Sequence, residues 1–273
     1  MHMTDIADTL VKANLQQQGF ALLPDVFDLA FMQETGAALN ELYPWYQTVH
    51  QKTGYTGGSE GGSHHILIHK GCFLELLRRL PLTELISEYL DGHFVVNSYG
   101  AYNNARDSRI YVKNVHRDIR FFDPGPAQML NMLVMLDDFT AENGATWLLP
   151  GSHKRPARPD DARFFEHGTQ TEGKAGTVLL FDSRLWHAGG ENRTDQFRRA
   201  VTITFTRPHF KQQFDYPAAL GYDFCETLPE NLKQLVGFNA RVPASLEQWY
   251  QPAAKRFYKS EQDASHAKLQ SGI

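Results

Sequence analysis

Apolar positions recur at helical spacing over residues 4–17 and about 26–43, where Phe31, Ala37, Leu39 and Leu42 share a face. Between these helices Phe20–Leu23 reads as a short strand that Pro24 stops. Two further short helices are expected near 71–79 and 82–90. From His93 onward the period changes to two, predicting strands at 93–102, 111–118, 128–136, 146–149, 177–181 and 199–206. Pro150-Gly151-Ser152 and Ala188-Gly189-Gly190 are turns between them, and the polar stretch 154–175 is a surface excursion. Past Pro208 helices are expected near 228–236 and 257–269. Strands gathered in the middle of the chain, with helices at both ends, predict a mostly β fold: a double-stranded β-helix, the cupin-like jelly roll, with flanking helices. The expected organisation is a single domain over 1–273, with a helical N-terminal part to about 92, a jelly-roll core over about 93–210 and a helical extension over 211–273.

Two strands carry the chemistry. On a strand 111–118, alternation places Asn114, His116 and Asp118 on one face. A His and a carboxylate two residues apart can then address one ion, whatever stands between them. A third ligand must come from elsewhere among twelve histidines. His187 is favoured because it follows the buried-strand run Thr177–Phe181 and precedes a Gly-rich turn; His153 and His209 are the competitors. His64, His65 and His69 lie by the glycine-rich loop 54–63 and read as surface or lid. Two imidazoles and one carboxylate leave coordination positions open, which suits a non-haem Fe(II) oxygenase holding a cosubstrate and O₂ on one ion. On the strand 198–206, Arg198, Ala200, Thr202, Thr204 and Thr206 share one face, while Arg199, Val201, Ile203 and Phe205 share the other. Arg198 therefore stands among small and hydroxyl residues, placed to fork a cosubstrate carboxylate. The plainer alternative is a solvent-facing Arg198 paired with Asp195 or Glu191, and Arg199 reads as an edge or surface charge.

Composition narrows the setting. A net charge of −4 with no basic stripe argues against nucleic acid as a partner. The apolar runs are too short for a membrane span. Asp5 and Asp8 stand where a signal peptide would be basic and then apolar. Two distant cysteines, Cys72 and Cys225, fit a reducing cytoplasm and no disulfide framework. A small molecule is thus the expected partner.

The motifs in order are His116-Arg-Asp118, Leu136-Asp-Asp-Phe-Thr-Ala-Glu-Asn-Gly144, Leu149-Pro-Gly-Ser-His153, His187-Ala-Gly-Gly-Glu-Asn192 and Phe197-Arg198. Together they resemble the phytanoyl-CoA dioxygenase family of Fe(II)/2-oxoglutarate oxygenases, from about Leu22 to Phe205. The resemblance implies that His116, Asp118 and His187 bind iron and that Arg198 grips the distal carboxylate of 2-oxoglutarate. It places Asn131 where the family has a residue touching the same cosubstrate. It makes His153, Asn143 and Asn192 turn residues. Some halogenating relatives replace the ligand carboxylate with a small residue; Asp118 is present, so hydroxylation or another oxygen-driven C–H oxidation is the expected reaction. Arg120, Phe121 and Trp186 flank the ligands and are candidates for the substrate wall.

His116-Arg117-Asp118 also reads as a kinase catalytic triplet, followed by Asp138-Phe139-Thr140. The position five beyond Asp118 is Asp123 rather than the Asn a second Mg²⁺ requires, and no nucleotide loop precedes it. A cupin-like lyase or isomerase would keep the ligands but have no use for a buried Arg198. A non-catalytic binding protein would have no need of an intact ligand set.

Overall fold

The computed structural model describes residues 3–55, 61–80, 82–106, 108 and 111–259. Helices α1 (Met3–Gln17) and α2 (Leu29–Thr53) flank strand β1 (Phe20–Leu23). The carboxylate of Asp28 accepts from Phe31 N at 2.8 Å and starts α2, while Gly54 closes it in the left-handed conformation at φ 66°. This helix runs past its expected end near residue 43 and carries Pro44 inside it, with Tyr46 buried beyond the break. Strand β2 (Gly62–His64), helices α3 (Gly71–Arg78) and α4 (Thr83–Tyr89) and strands β3 (Val95–Asn104), β4 (Met129–Met135) and β5 (Thr146–Leu148) follow. Next come α5 (Asp161–His167), β6 (Thr169–Thr171), β7 (Val178–Asp182), β8 (His187–Ala188) and β9 (Arg198–Thr206). Short helices α6 (Tyr216–Leu220), α7 (Tyr222–Glu226), α8 (Glu230–Leu235) and α9 (Leu246–Trp249) complete the described chain.

Six strands form one antiparallel sheet in the order β1-β7-β4-β9-β3-β2, and three form a second in the order β6-β5-β8. This sheet-rich architecture with flanking helices is the jelly roll expected from the strand pattern. Alternation decides what each face does. On β9, Val201, Ile203 and Phe205 join the large apolar cluster shared with the helices, whereas Arg198, Ala200, Thr202 and Thr204 line a cavity on the other side. On β4, Leu130, Met132 and Val134 face the helices while Asn131 and Leu133 line the cavity. Strand β3 would break this rule without its bulge. Val96 and Ala101 both belong to the helix-facing core although their parity differs, and the register with β9 shifts between Val96 and Ser98. That extra residue turns Ser98, Gly100, Tyr102 and Asn104 toward the cavity. A smaller apolar cluster, including Leu133, Phe139, Leu148, Phe181 and Ala200, fills the space between the sheets. Each fully buried Leu, Ile or Phe of these clusters contributes roughly 1.5–3 kcal/mol of transfer free energy.

Several expectations need correction. The large sheet reaches into the N-terminal part expected to be helical: its outer strands are β1, the strand expected at Phe20–Leu23, and β2, which was not expected. Residues 111–118 are not a strand. Tyr111–Lys113 make a 3-10 turn closed by Asn114 N on Tyr111 O at 3.0 Å, and only His116 keeps an isolated bridge, to His187. The amides beyond His116 find another partner, because Asp118 N and Ile119 N both donate to Ser183 O, at 3.1 and 3.2 Å. Residues 257–259 are not helical, and the rest of the helix expected over 257–269 lies outside the described residues, as do residues 56–60 of the glycine loop read as a lid. Asn143 and Asn192 form turns as expected. Asn143 accepts from Thr140 N at 2.9 Å and donates to Asp138 O at 2.7 Å, and Asn192 donates to Asn104 O and Gln196 O, both at 2.7 Å. Cys72 and Cys225 are free thiols. Among the described residues no helix is long and apolar enough to cross a membrane.

Candidate metal and cosubstrate site

The cavity between the sheets has a volume of about 850 Å³, within the range of small-molecule sites. His116, Asp118 and His187 stand together on its wall, with ligand atoms all within 4.8 Å of one another. Nε2 of His116 lies 3.7 Å from Asp118 Oδ1, and Nε2 of His187 lies 3.6 Å from Asp118 Oδ2. The three converge without the strand alternation expected of residues 111–118. His116 and His187 instead exchange two backbone hydrogen bonds, N to O at 3.0 and 2.9 Å, across the rim of the smaller sheet. The turn between β7 and β8 does the rest. Ser183 O fixes the backbone of Asp118, and Leu185 O takes the ring Nδ1–H of His187 at 2.9 Å.

Hydrogen bonding also fixes the tautomers. Nδ1 of His116 lies 2.7 Å from Asn114 O, and a carbonyl can only accept. Each Nδ1 therefore carries the proton and each Nε2 keeps its lone pair for the shared point. Burial, then the neighbouring His116, pushes the His187 pKa down to about 4, so this imidazole is neutral near pH 7. Asp118 is held by Asn131, whose Nδ2 donates to Oδ2 at 2.7 Å while its own carbonyl accepts from the Thr204 hydroxyl at 2.8 Å. Two imidazoles turned by their Nδ1 hydrogen bonds to one point, with one oriented carboxylate, match the donor set for Fe(II) with positions left open.

Arg198 lies on the same cavity wall, 4% exposed, with its guanidinium 4.4 Å from the centroid of the Phe139 ring. Its Nε has no hydrogen-bond partner, and among the described residues no carboxylate lies within ion-pairing distance. The plainer partners are engaged elsewhere: Asp195 pairs with Arg106 and Glu191 with Lys113. Asp137, whose charge Arg198 feels, is forked by Arg199 through Nε at 2.9 Å and Nη2 at 2.6 Å. Arg199 is thus a half-buried structural ion pair and not the edge or surface charge expected. Burial pulls the Arg198 pKa down to about 10, so the group keeps its charge near neutrality with no acid to match it. That is the state of a binding site for an anion.

The remaining candidates separate. His153 is buried and donates Nε2–H to Gln16 O at 3.3 Å, away from the triad, and His209 packs on Phe210. His64 and His65 line the cavity and are not surface groups; His65 Nδ1 lies 3.0 Å from the Tyr216 hydroxyl. Arg120 and Trp186 line the cavity, whereas Phe121 is 49% exposed and outside its lining. The segment after Asp118 is loop, so strand alternation does not extend to Phe121. Sequence reasoning missed Arg184, which forks the buried Asp182 at 2.9 and 2.7 Å and donates to Asp123 O and Gly125 O, both at 2.9 Å. It thereby ties the loop that follows Asp118 to the end of β7. Two opposite charges flanking one serine at the end of an apolar strand were the available signal.

The family model described as phytanoyl-CoA dioxygenase (PhyH) matches residues 15–200. The chain belongs to this family. An uncharacterized protein of Mycobacterium tuberculosis, Rv1501, is 30% identical over 253 residues, covering 89% of this chain and 92% of its own. Dioxygenase FUM3 of Gibberella moniliformis is 30% identical over 145 residues, 49% of this chain and 46% of the relative. Among solved structures, the non-heme alpha ketoglutarate dependent epimerase SnoN of nogalamycin biosynthesis superposes with a TM-score of 0.59 at 17% identity, covering 74% of this chain and 81% of SnoN. AviO1 from Streptomyces viridochromogenes Tue57 superposes with a TM-score of 0.54 at 23% identity, over 74% of this chain and 96% of AviO1. At such identities the two structures speak to the fold, and the family membership makes this PhyH protein an enzyme of the dioxygenase class.

Proposed function

We propose that this protein is an Fe(II)- and 2-oxoglutarate-dependent dioxygenase that hydroxylates an unactivated C–H bond of a small molecule, with release of succinate and CO₂. The observation that carries the proposal is the pairing of Arg198, a buried cation without a carboxylate, with the His116–Asp118–His187 triad in one cavity. A lyase or isomerase that uses the same ligands without 2-oxoglutarate has no need of that cation. SnoN has been seen with Fe3+ and alpha ketoglutarate, which agrees with such a pairing in this fold.

When bound, iron and 2-oxoglutarate would together activate O₂, the oxidant of the reaction, for chemistry that no side chain can perform. The chain supplies position. His116 and His187 present Nε2 lone pairs fixed by their Nδ1 hydrogen bonds, and Asn131 keeps the Asp118 carboxylate turned to the same point. Arg198 would hold the far carboxylate of 2-oxoglutarate with a planar fork, its lost hydration replaced by that contact. Trp186 and the hydroxyl-bonded pair Tyr102–Tyr111, 2.6 Å apart, line the cavity. Asp118 fills the ligand position that a halogenating enzyme would leave to chloride.

The test is anaerobic reconstitution with Fe(II) and 2-oxoglutarate, followed by O₂ with and without chloride. One metal ion per chain, succinate and no halogenated product are expected. Iron bound without any succinate, or chloride carried into product, would overturn the proposal.

A further inference from the structure

The ionisable lining of the cavity is lopsided. Among the described residues, four guanidiniums, from Arg117, Arg120, Arg158 and Arg198, face a single carboxylate, Asp118, in a chain whose net charge is −4. The proposed occupants do not correct this imbalance. A divalent ion, Asp118, dianionic 2-oxoglutarate and Arg198 together sum to neutrality. Arg117, Arg120 and Arg158 are left over. Arg158 is partly matched by Asp161, 2.6 Å from its Nη2. Arg117 lies 5.0 Å from the Trp186 ring centroid and 5.8 Å from that of Phe122, and its Nη1 is buried without a hydrogen-bond partner. Arg120 is solvent-exposed on the wall, close enough for its charge to reach the Tyr111 hydroxyl, and pairs with no carboxylate among the described residues. Trp186, 7% exposed on the same wall, has a buried Nε1–H with no partner. Cationic residues concentrated in a low-dielectric cleft of an acidic protein focus the field on anions that enter it.

We infer that the substrate of the proposed dioxygenase carries an oxyanion, a carboxylate or a phosphate, which docks between Arg117 and Arg120 while its uncharged body lies along Trp186, Tyr102 and Tyr111 toward the metal triad. The inference rests on the proposed activity only in treating the occupant as a substrate. A charge-assisted contact of this kind carries about ten- to a hundredfold in affinity. Arg120 is the better probe because its exposure leaves little of the fold dependent on it.

The experiment is calorimetric titration of the full chain, held anaerobically with Fe(II) and saturating 2-oxoglutarate so that Arg198 is engaged. The probes are hexanoate, hexyl phosphate and the neutral hexanamide. Binding of hexanoate or hexyl phosphate, with hexanamide at least tenfold weaker, is expected, and which oxyanion is preferred names the class. Arg120→Gln should weaken the preferred anion about tenfold or more, and Arg120→Lys should restore part of it, with the thermal midpoint unchanged in both. Equal binding of hexanamide, no binding of either anion, or an Arg120→Gln variant with wild-type affinity would overturn the inference. A separate titration with 2-oxoglutarate alone keeps the two ideas apart. If it shows no binding while the Arg120-dependent anion contact persists, the proposed cosubstrate falls and the anion wall stands; the reverse pattern removes only the wall.

Discussion

Arg198 and Arg199 are adjacent, equally charged and opposite in role, because β9 turns one to the cavity and the other to Asp137. Converting Arg198 to Gln should raise the Kd for 2-oxoglutarate about ten- to a hundredfold with little change in stability, since the fork has no partner in the fold to lose. Arg199→Gln should leave that Kd within about twofold but lower unfolding stability on the order of 2 kcal/mol, because Asp137 is left half buried and unmatched. Calorimetry and urea unfolding on both variants would check this, and equal effects on the Kd would mean that Arg198 does not hold the cosubstrate. Asn131 acts one step further from the ion. Replacing it with Leu removes the donor to Asp118 and the acceptor for Thr204, so Fe(II) affinity should fall about ten- to a hundredfold. Unchanged affinity in a metal-competition assay would reduce Asn131 to a space-filling role.

The turn from Asp182 to Leu185 is the element on which the triad depends. Its carbonyls hold the Asp118 backbone and the His187 ring, and its Arg184 holds the loop beyond Asp118. Arg184→Leu leaves the buried Asp182 without its cation, held only by the Tyr89 hydroxyl at 2.7 Å and the residue-184 amide at 2.8 Å, and should cost about 3–5 kcal/mol in urea unfolding. Adding Asp182→Asn should recover part of that loss, since the uncompensated charge is then gone; a single variant as stable as wild type would show that the pair does not matter. The legibility of the elements follows the same physics. Strand β9 was readable because Val201 to Thr206 alternate apolar and hydroxyl residues. Strand β3 hides its bulge at Asn97, which no local pattern announces, and β8 has only two residues. The His116–Asp118 pair was found for a reason that fails in detail: the two side chains meet through carbonyls contributed by residues 183 and 187, not through a shared strand face.

At the scale of the whole molecule, helix-facing core and cavity occupy opposite faces of one sheet, so folding does not wait on the ion. Asp118→Ala should stay folded. Saturating Fe(II) and 2-oxoglutarate should stabilise the wild type by about 2.7 kcal/mol at a hundredfold excess over the Kd, and Asp118→Ala hardly at all, as a thermal-shift series would record. An equal shift in the variant would place ion binding elsewhere. The motifs pointed to the His116–Asp118–His187 group and to Arg198, which the fold brings into one cavity, because the chemistry proposed for them is carried by residue type. The basic wall was legible only in part: Arg120 stood out beside Asp118, with Arg117 in the same loop, whereas Arg158 comes from a separate segment that only the fold brings to the cavity.

The reciprocal bridge between His116 and His187 has a consequence for motion. Each amide is sealed by the other residue's carbonyl, at 3.0 and 2.9 Å, so neither can meet solvent while the other stays closed. Their deuterium uptake should therefore follow one shared opening free energy, which a bound ion would raise for both amides together. Two amides with unrelated protection would mean that the rim opens piecemeal. If they are matched, the two imidazoles leave and rejoin the centre as a single hinged plate.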